Sequence, residues 1–256
     1  MVILKKPVSA FIIVAVSLSL SLILLYHLHA DVAPINKLKM NVNKVFYDFI
    51  AGLKLVIQNR LISFMIPVAL ITNFCFWSIW LLMPKYSIDL FGRFKIVYNV
   101  IDISFTVGGI IGALVFSKQH KYWNSPRIYP YLLAGQAIML ILLGVNAILP
   151  HELVNVIYIA VIWIGYGVLN SISSVIYFSI IQISANSKNI GLIVGSVLTI
   201  FSIANPVAAL MSAPLVRVAS ISEIVIVLGI IMLIASIPVF SLKFRKELNK
   251  YGRTEI

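Results

Sequence analysis

Hydrophobic positions in this chain come in long unbroken runs. Seven of them carry the roughly 20 mostly apolar residues that one crossing of a bilayer's hydrocarbon core requires. They are 7–28, 61–83, 94–117, 128–149, 154–183, 190–216 and 222–242. Period is of little use in finding them, since a helix immersed in lipid is apolar nearly all round. The alternating segments of about 10 residues that build a membrane barrel do not occur. The pattern predicts an all-α integral membrane protein with seven transmembrane helices. One stretch differs. Over 43–59, Val45, Phe46, Phe49, Ile50, Leu53 and Ile57 share one helical face, while Lys44, Asp48, Lys54 and Gln58 fall largely on the other. That spacing predicts an amphipathic helix lying in the headgroup region. The expected organisation is a first transmembrane helix (1–28), a basic linker with the amphipathic helix (29–60), a six-helix bundle (61–242) and a basic tail (243–256).

Composition agrees: 61% of the residues are hydrophobic and 11% charged, where a soluble chain is about a quarter charged. The net charge of +12 does not point to nucleic acid, because the basic residues lie in short segments between apolar runs and form no patch with aromatics. They report topology instead. Segments 30–60, 118–127, 184–189 and 243–256 hold 14 of the 20 Lys and Arg residues, and the opposite side keeps 6. The positive-inside rule then puts the N-terminus outside and the C-terminus in the cytoplasm of a multi-pass cell-membrane protein. Lys5 and Lys6 ahead of the first run also fit a signal peptide with a cleavage region at 29–33. The run exceeds the usual signal core of about 7–15 residues, and more basic residues follow than precede it, so a retained span is expected. Cys75 is the only cysteine and lies within an apolar run. It excludes an internal disulfide and a cysteine metal site, and reads as a small buried hydrophobe.

Polar residues inside spans are costly unless partnered, so their placement carries information. The first and last spans hold little beyond serines, and the fourth only Gln136 and Asn146, so these three are expected to face lipid. The other four each carry a polar stripe on one helical face. They are Asn73, Trp77 and Trp80 in the second span, and Asn99, Asp102 and Thr106 in the third. The fifth carries Tyr166, Asn170, Ser173 and Tyr177, and the sixth Thr199, Ser202 and Asn205. Four such stripes predict a shared polar interior, a solute cavity lined by Asn73, Trp77, Trp80, Asn99, Tyr166, Asn170, Ser173, Thr199 and Asn205. Helix-to-helix hydrogen bonding is the plainer use of any single stripe. Asp102 is the only carboxylate inside a span. A carboxyl that gains and loses a proton there can couple transport to a proton gradient. Gly108 with Gly112, and Gly191 with Gly195, form GxxxG pairs expected to serve helix packing and gating.

The order of these parts resembles the C-terminal half of a major facilitator superfamily transporter, in the macrolide- and siderophore-type drug:proton antiporter branch. The residues that carry it are Asp102-Ile-Ser-Phe-Thr-Val-Gly-Gly-Ile-Ile-Gly112, Gly165-Tyr-Gly-Val-Leu-Asn170 and Gly191-Leu-Ile-Val-Gly-Ser196 followed by Asn205-Pro206. The resemblance implies that the last six spans are a major-facilitator half-bundle and that the second, third, fifth and sixth spans line the cavity. It implies an acid at Asp102 and a site between two halves, one of which is missing here. Two loops depart from the family pattern. The segment 117–127 lacks the Gly-Asp-Arg-Gly-Arg type of motif, and 184–191 lacks Glu-x-x-Gly-Arg. The expected function is secondary active transport, a proton-coupled efflux of a drug-like, macrolide or siderophore-type molecule. The chain would be a half that needs a second half or another copy. A non-transporting scaffold or channel subunit is the alternative. The expected partners are the lipid bilayer, a small-molecule substrate and protons. No catalytic residue, metal or cofactor is expected, since no His lies deep in a span and Asp102 has no acidic neighbour within one.

Overall fold

The computed structural model describes residues 16, 18–24, 42–92, 96–123, 126–146, 148, 153–185 and 189–251. It divides into two units, 1–42 and 43–256. In the first, residues 18–24 are helical and exposed. The remainder of the first expected span, with Lys5, Lys6 and the region 29–33, lies outside the described residues.

The second unit runs α1 (Val42–Gln58), α2 (Arg60–Phe91), α3 (Val97–Trp123), α4 (Tyr129–Asn146), α5 (Leu153–Ser184), α6 (Ile190–Val218), α7 (Ile221–Ser236) and α8 (Leu242–Tyr251). Short 3-10 turns precede α4 and follow α7. The described residues hold no strand, and six helices are long and apolar enough to cross a membrane, α2 to α7. Local signals fix several ends. The Asn59 side chain accepts from the amides of Leu61 and Ile62, both at 3.1 Å, and so caps α2. The same side chain donates to the Ser184 carbonyl at 2.8 Å, satisfying an orphan acceptor at the end of α5. At α7, Ser220 and Glu223 form a reciprocal capping box.

The helix pairing has an internal symmetry. The most extensive neighbours are α3 with α5, α4 with α7, α4 with α5, α2 with α6 and α2 with α7. Exchanging α2, α3 and α4 for α5, α6 and α7 turns each of these pairs into another of the set or into itself. Because consecutive spans run in opposite directions, the exchange reverses the helices. The neighbour pattern is thus symmetric between the first three and the last three spanning helices.

Glycine determines how closely these pairs approach. A Cβ on Gly108 would overlap the Ile164 carbonyl, one on Gly167 the Phe105 carbonyl, and one on Gly112 would stand 2.7 Å from the Val168 oxygen. The α3 and α5 backbones therefore touch along two turns, the geometry that small residues permit in membranes. Gly144 and Gly229 serve the α4–α7 pair in the same way, against Ile226 and Ile141. Gly191 and Gly195 differ from the expectation. Among the described residues nothing lies within 4 Å of a Cβ at either position, so they make no close helix contact there. The close approach at the start of α6 uses Gly52 of α1 instead, whose Cβ would collide with Ser196.

The fourth and seventh spans are not lipid-facing bystanders. More than half of the α4 span is buried, including Gln136 and Asn146. Asn146 Nδ2 lies 3.4 Å from the Tyr86 hydroxyl, which donates to the Leu143 carbonyl. Two amphipathic helices sit at the end of the bundle that carries most of the basic residues. Helix α1 buries Val56 and presents Phe46, Tyr47, Ile50 and Ile57 outward. Helix α8, unforeseen within the expected tail, buries Phe244 and Leu248 against α2, with Phe64 and Phe244 stacked at 5.9 Å. Arg60 and Glu247 pair across that contact at 3.6 Å.

Two outcomes follow from this packing. In a Cys75→Ala background, cysteines at Lys54 and Lys246 should be labelled by an impermeant maleimide from one side of the membrane, and those at Asp89 and Ser220 only from the other. Shared access of Lys54 and Asp89 would overturn the six-span alternation. Gly108→Leu should lower stability by about 1–3 kcal/mol through overpacking against α5, whereas Gly195→Leu should leave it unchanged. Cys75 is fully buried, so the reaction of a fluorogenic thiol reagent during heating reads both variants directly.

Candidate functional site

A cavity of about 640 Å³ lies within the bundle, bounded by α2, α4, α5 and α6. Helix α2 contributes Ala69, Thr72, Asn73 and Trp77, and α4 contributes Tyr129, Leu133 and Gln136. Helix α5 adds Asn170, Ser173, Ser174, Tyr177 and Phe178, and α6 adds Leu198, Phe201, Ser202 and Asn205. The lining contains no Asp, Glu, Lys, Arg or His. Its polar groups are amides and hydroxyls, set among aromatic faces. Its size falls in the ~300–1,000 Å³ range typical of small-molecule sites.

Several of these polar groups are already committed. Asn73 Nδ2 donates to the Ala69 carbonyl at 2.8 Å, and Thr72 Oγ1 donates to the same oxygen at 3.0 Å. Ser202 Oγ donates back to Leu198 at 2.9 Å, the local bond open to a hydroxyl inside a helix. Gln136, only 2% exposed, donates to Ser173 Oγ at 2.9 Å, and Ser173 donates in turn to the Asn170 carbonyl at 3.0 Å. This relay ties α4 to α5 across the cavity wall. Of the lining groups, the Tyr177 hydroxyl is buried without a partner among the described residues, at 4% exposed, while the half-buried Asn170 and the exposed Asn205 carry side-chain amides with no protein hydrogen bond among those residues.

Five of the nine residues expected to line a cavity do so: Asn73, Trp77, Asn170, Ser173 and Asn205. The other four do not. Trp80 and Tyr166 belong to an aromatic cluster with Phe76, Phe105 and Trp163. In it Phe76 stacks on Tyr166 at 5.5 Å and Trp80 meets Trp163 edge-on at 5.5 Å. Along α2 and α5 this cluster stands between the cavity and the less basic end. Asn99 is exposed on α3, and Thr199 is exposed on α6 with its hydroxyl bonded to the Gly195 carbonyl at 2.8 Å. Asp102 is also exposed, outside the cavity, on the same edge of α3 as Asn99 and Thr106. The physical reason is the α3–α5 contact. Helix α3 turns its Gly108–Gly112 face inward, and at about 100° per residue the polar stripe falls roughly 120–180° away from Gly108. The third span thus yields its expected place at the cavity to α4.

Gln136 is the principal residue that the polar stripes missed. A lone amide in the middle of an otherwise apolar span must find a partner or cost free energy, and that alone marks α4 as an interior helix. Tyr129, Phe178 and Phe201 carried no such signal, because aromatic residues are equally at home facing lipid.

No protein-family model matches this chain, and no curated protein or solved structure matches it either.

The relay between α4 and α5 predicts a measurable coupling. In a double-mutant cycle, Gln136→Leu and Ser173→Ala should show an interaction energy of about 0.6 kcal/mol, in the range found for hydrogen bonds between membrane helices. Strict additivity of the two single variants would mean that the bond contributes nothing.

Proposed function

We propose that this chain is one half of a secondary transporter, with the cavity between α2, α4, α5 and α6 as one wall of the solute pathway. The observation that carries the reading is a small-molecule-sized cavity among membrane-spanning helices, lined by the buried, unpaired Tyr177 hydroxyl and by the Asn170 and Asn205 amides. A structural polar network is normally self-satisfied, since each buried unpaired group costs free energy. Inverted-topology repeats with a midplane site are, in general, a transporter architecture, and the α2–α4 and α5–α7 pairing fits one. This supports the major-facilitator half-bundle suggested by the sequence resemblance. A scaffold that used its polar faces only for packing would pair these groups with its own helices.

The second half, or a second copy, packs on α3 and α6 in this reading. These two repeat mates are the least buried of the six spans, each with 22% of its most apolar window buried. Along α6 the exposed edge is mostly small, with Gly191, Gly195, Ser202, Ala209 and Ala213 interrupted by Leu198. Along α3 it holds Asn99, Asp102, Thr106 and Ala113. Asp102 then lies at the seam between halves, where closing the seam would remove it from water, and not in the cavity. Proton coupling acts from that seam. A macrolide-type substrate, hydroxyl-bearing and bulky, is compatible with the lining. An anionic siderophore finds no cation there.

The experiment is reconstitution into proteoliposomes with a partner captured by crosslinking from cysteines at Thr106 and Gly195. Asp102→Asn keeps the side chain's shape and removes its charge change. In the assembled carrier it should abolish accumulation driven by a pH gradient, while exchange at equal pH continues. Undiminished uphill transport by Asp102→Asn would remove the coupling role. Robust transport by a strictly monomeric chain would remove the half-transporter reading.

A further inference from the structure

We infer that the cavity is a binding site for an uncharged, hydroxyl-bearing ring compound, a neutral glycoside, and neither a cationic nor an anionic solute. This rests on the cavity being a solute site and goes on to name the ligand's chemistry.

The first argument is charge. None of the lining side chains is ionisable near neutral pH. An anion entering the cavity would lose hydration with nothing to replace it, and a cation would gain only ring-face contacts against a larger desolvation cost. The one intramembrane acid, Asp102, is on the outer edge of α3, so it offers no counter-charge to a cationic drug.

The second argument is the set of unpaired groups. The Asn170 and Asn205 amides each offer two donor hydrogens and an acceptor oxygen. The Tyr177 hydroxyl is buried with no partner. Gln136 spends its donor side on Ser173 and the Leu132 carbonyl, so its oxygen remains an acceptor. A purely apolar ligand would leave the buried Tyr177 hydroxyl and the Gln136 oxygen unsatisfied and would cover the two amides without bonding them, a penalty a hydroxyl-bearing ligand avoids. A ligand hydroxyl is both donor and acceptor, and vicinal hydroxyls can meet an amide's two functions at once.

The third argument is the aromatic lining. Trp77, Tyr129, Phe178 and Phe201 supply flat apolar faces beside the amides. A pyranose ring has the matching form, with C–H bonds on its faces and hydroxyls at its rim. Area burial then acts on the faces and hydrogen bonding on the rim. Charge, unpaired donors and acceptors, and aromatic faces thus converge on one ligand class.

The test uses the full chain in phospholipid nanodiscs, since alkyl-glycoside detergents would compete for the site. Tritiated phenyl glucoside is titrated by equilibrium dialysis, beside phenyl glucuronide, which adds a carboxylate to the same ring, and tetraphenylphosphonium, an apolar cation. Saturable binding of the glucoside is expected, with the glucuronide and the cation at least tenfold weaker. Asn170→Ala and Tyr177→Phe should each weaken glucoside binding roughly tenfold, the equivalent of losing one to two hydrogen bonds. Thr106→Val, outside the cavity, should not. Retained protection of Cys75 from thiol reagents certifies that each variant is folded. The inference is overturned by tighter binding of either charged probe, by glucoside binding indifferent to both cavity variants, or by no saturable binding of the glucoside. Glucoside binding without flux in the assembled carrier would count against the transporter reading and leave the ligand class standing. Flux of the cation without glucoside binding would do the reverse.

Discussion

The contact between α3 and α5 governs the arrangement of the rest. Gly108, Gly112 and Gly167 bring two helix backbones together without intervening side chains. In lipid, where apolar side chains gain little by leaving hydrocarbon for protein, such close packing is a main source of association. Once α3 commits its glycine face to α5, the azimuth of every other residue on it is fixed. Its polar edge with Asn99 and Asp102 must then face outward. The place beside the cavity is left for α4, which brings Gln136 to meet Ser173 on α5.

The cavity and the aromatic cluster divide the interior along its length. Toward the less basic end, Phe76, Trp80, Phe105, Trp163 and Tyr166 pack ring on ring. Toward the basic end, amides and hydroxyls take over the same helices. The change occurs within one turn of α2, where Phe76 belongs to the cluster and Trp77 to the cavity. It occurs again on α5, between Tyr166 and Asn170. One helix register thereby serves two chemistries, because adjacent residues on a helix point about 100° apart.

Much of this was legible in the sequence, for a reason particular to membranes. Hydrocarbon forces each crossing to be a helix of fixed minimum length, so run length alone gives the places of α2 to α7. Their ends differ, since α2 runs eight residues past the expected 83 to Phe91 and α3 six past 117 to Trp123. The stripes on the second, fifth and sixth spans contain Asn73, Asn170 and Asn205, which line the pocket between α2, α4, α5 and α6. The third span misled because polar residues can face a partner surface as well as a cavity, and periodicity assigns them to one face without saying which neighbour that face meets. The decisive information lay in Gly108 and Gly112, whose role depends on residues 164 and 168, more than fifty positions away. Gly191 and Gly195 have the same local spacing and no such counterpart, so spacing could not separate the two pairs. Tail residues Phe244 and Leu248 were illegible for a similar reason, since ten residues of amphipathic helix acquire meaning only against the start of α2.

The turn between α6 and α7 consists of Ala219 and Ser220 alone, closed by the capping box with Glu223. Connections this short join antiparallel neighbours as a helical hairpin. During synthesis neither helix can settle across the bilayer while the other waits in water, because two residues cannot span the thickness between them. The pair must therefore insert as a unit, which carries Asn205 and its cavity edge into the membrane before α7 has found α4. Within the bundle the two helices then part company, α6 lying chiefly on α2 and α7 on α4 and α2, so the two-residue turn ties together elements that hardly pack on each other.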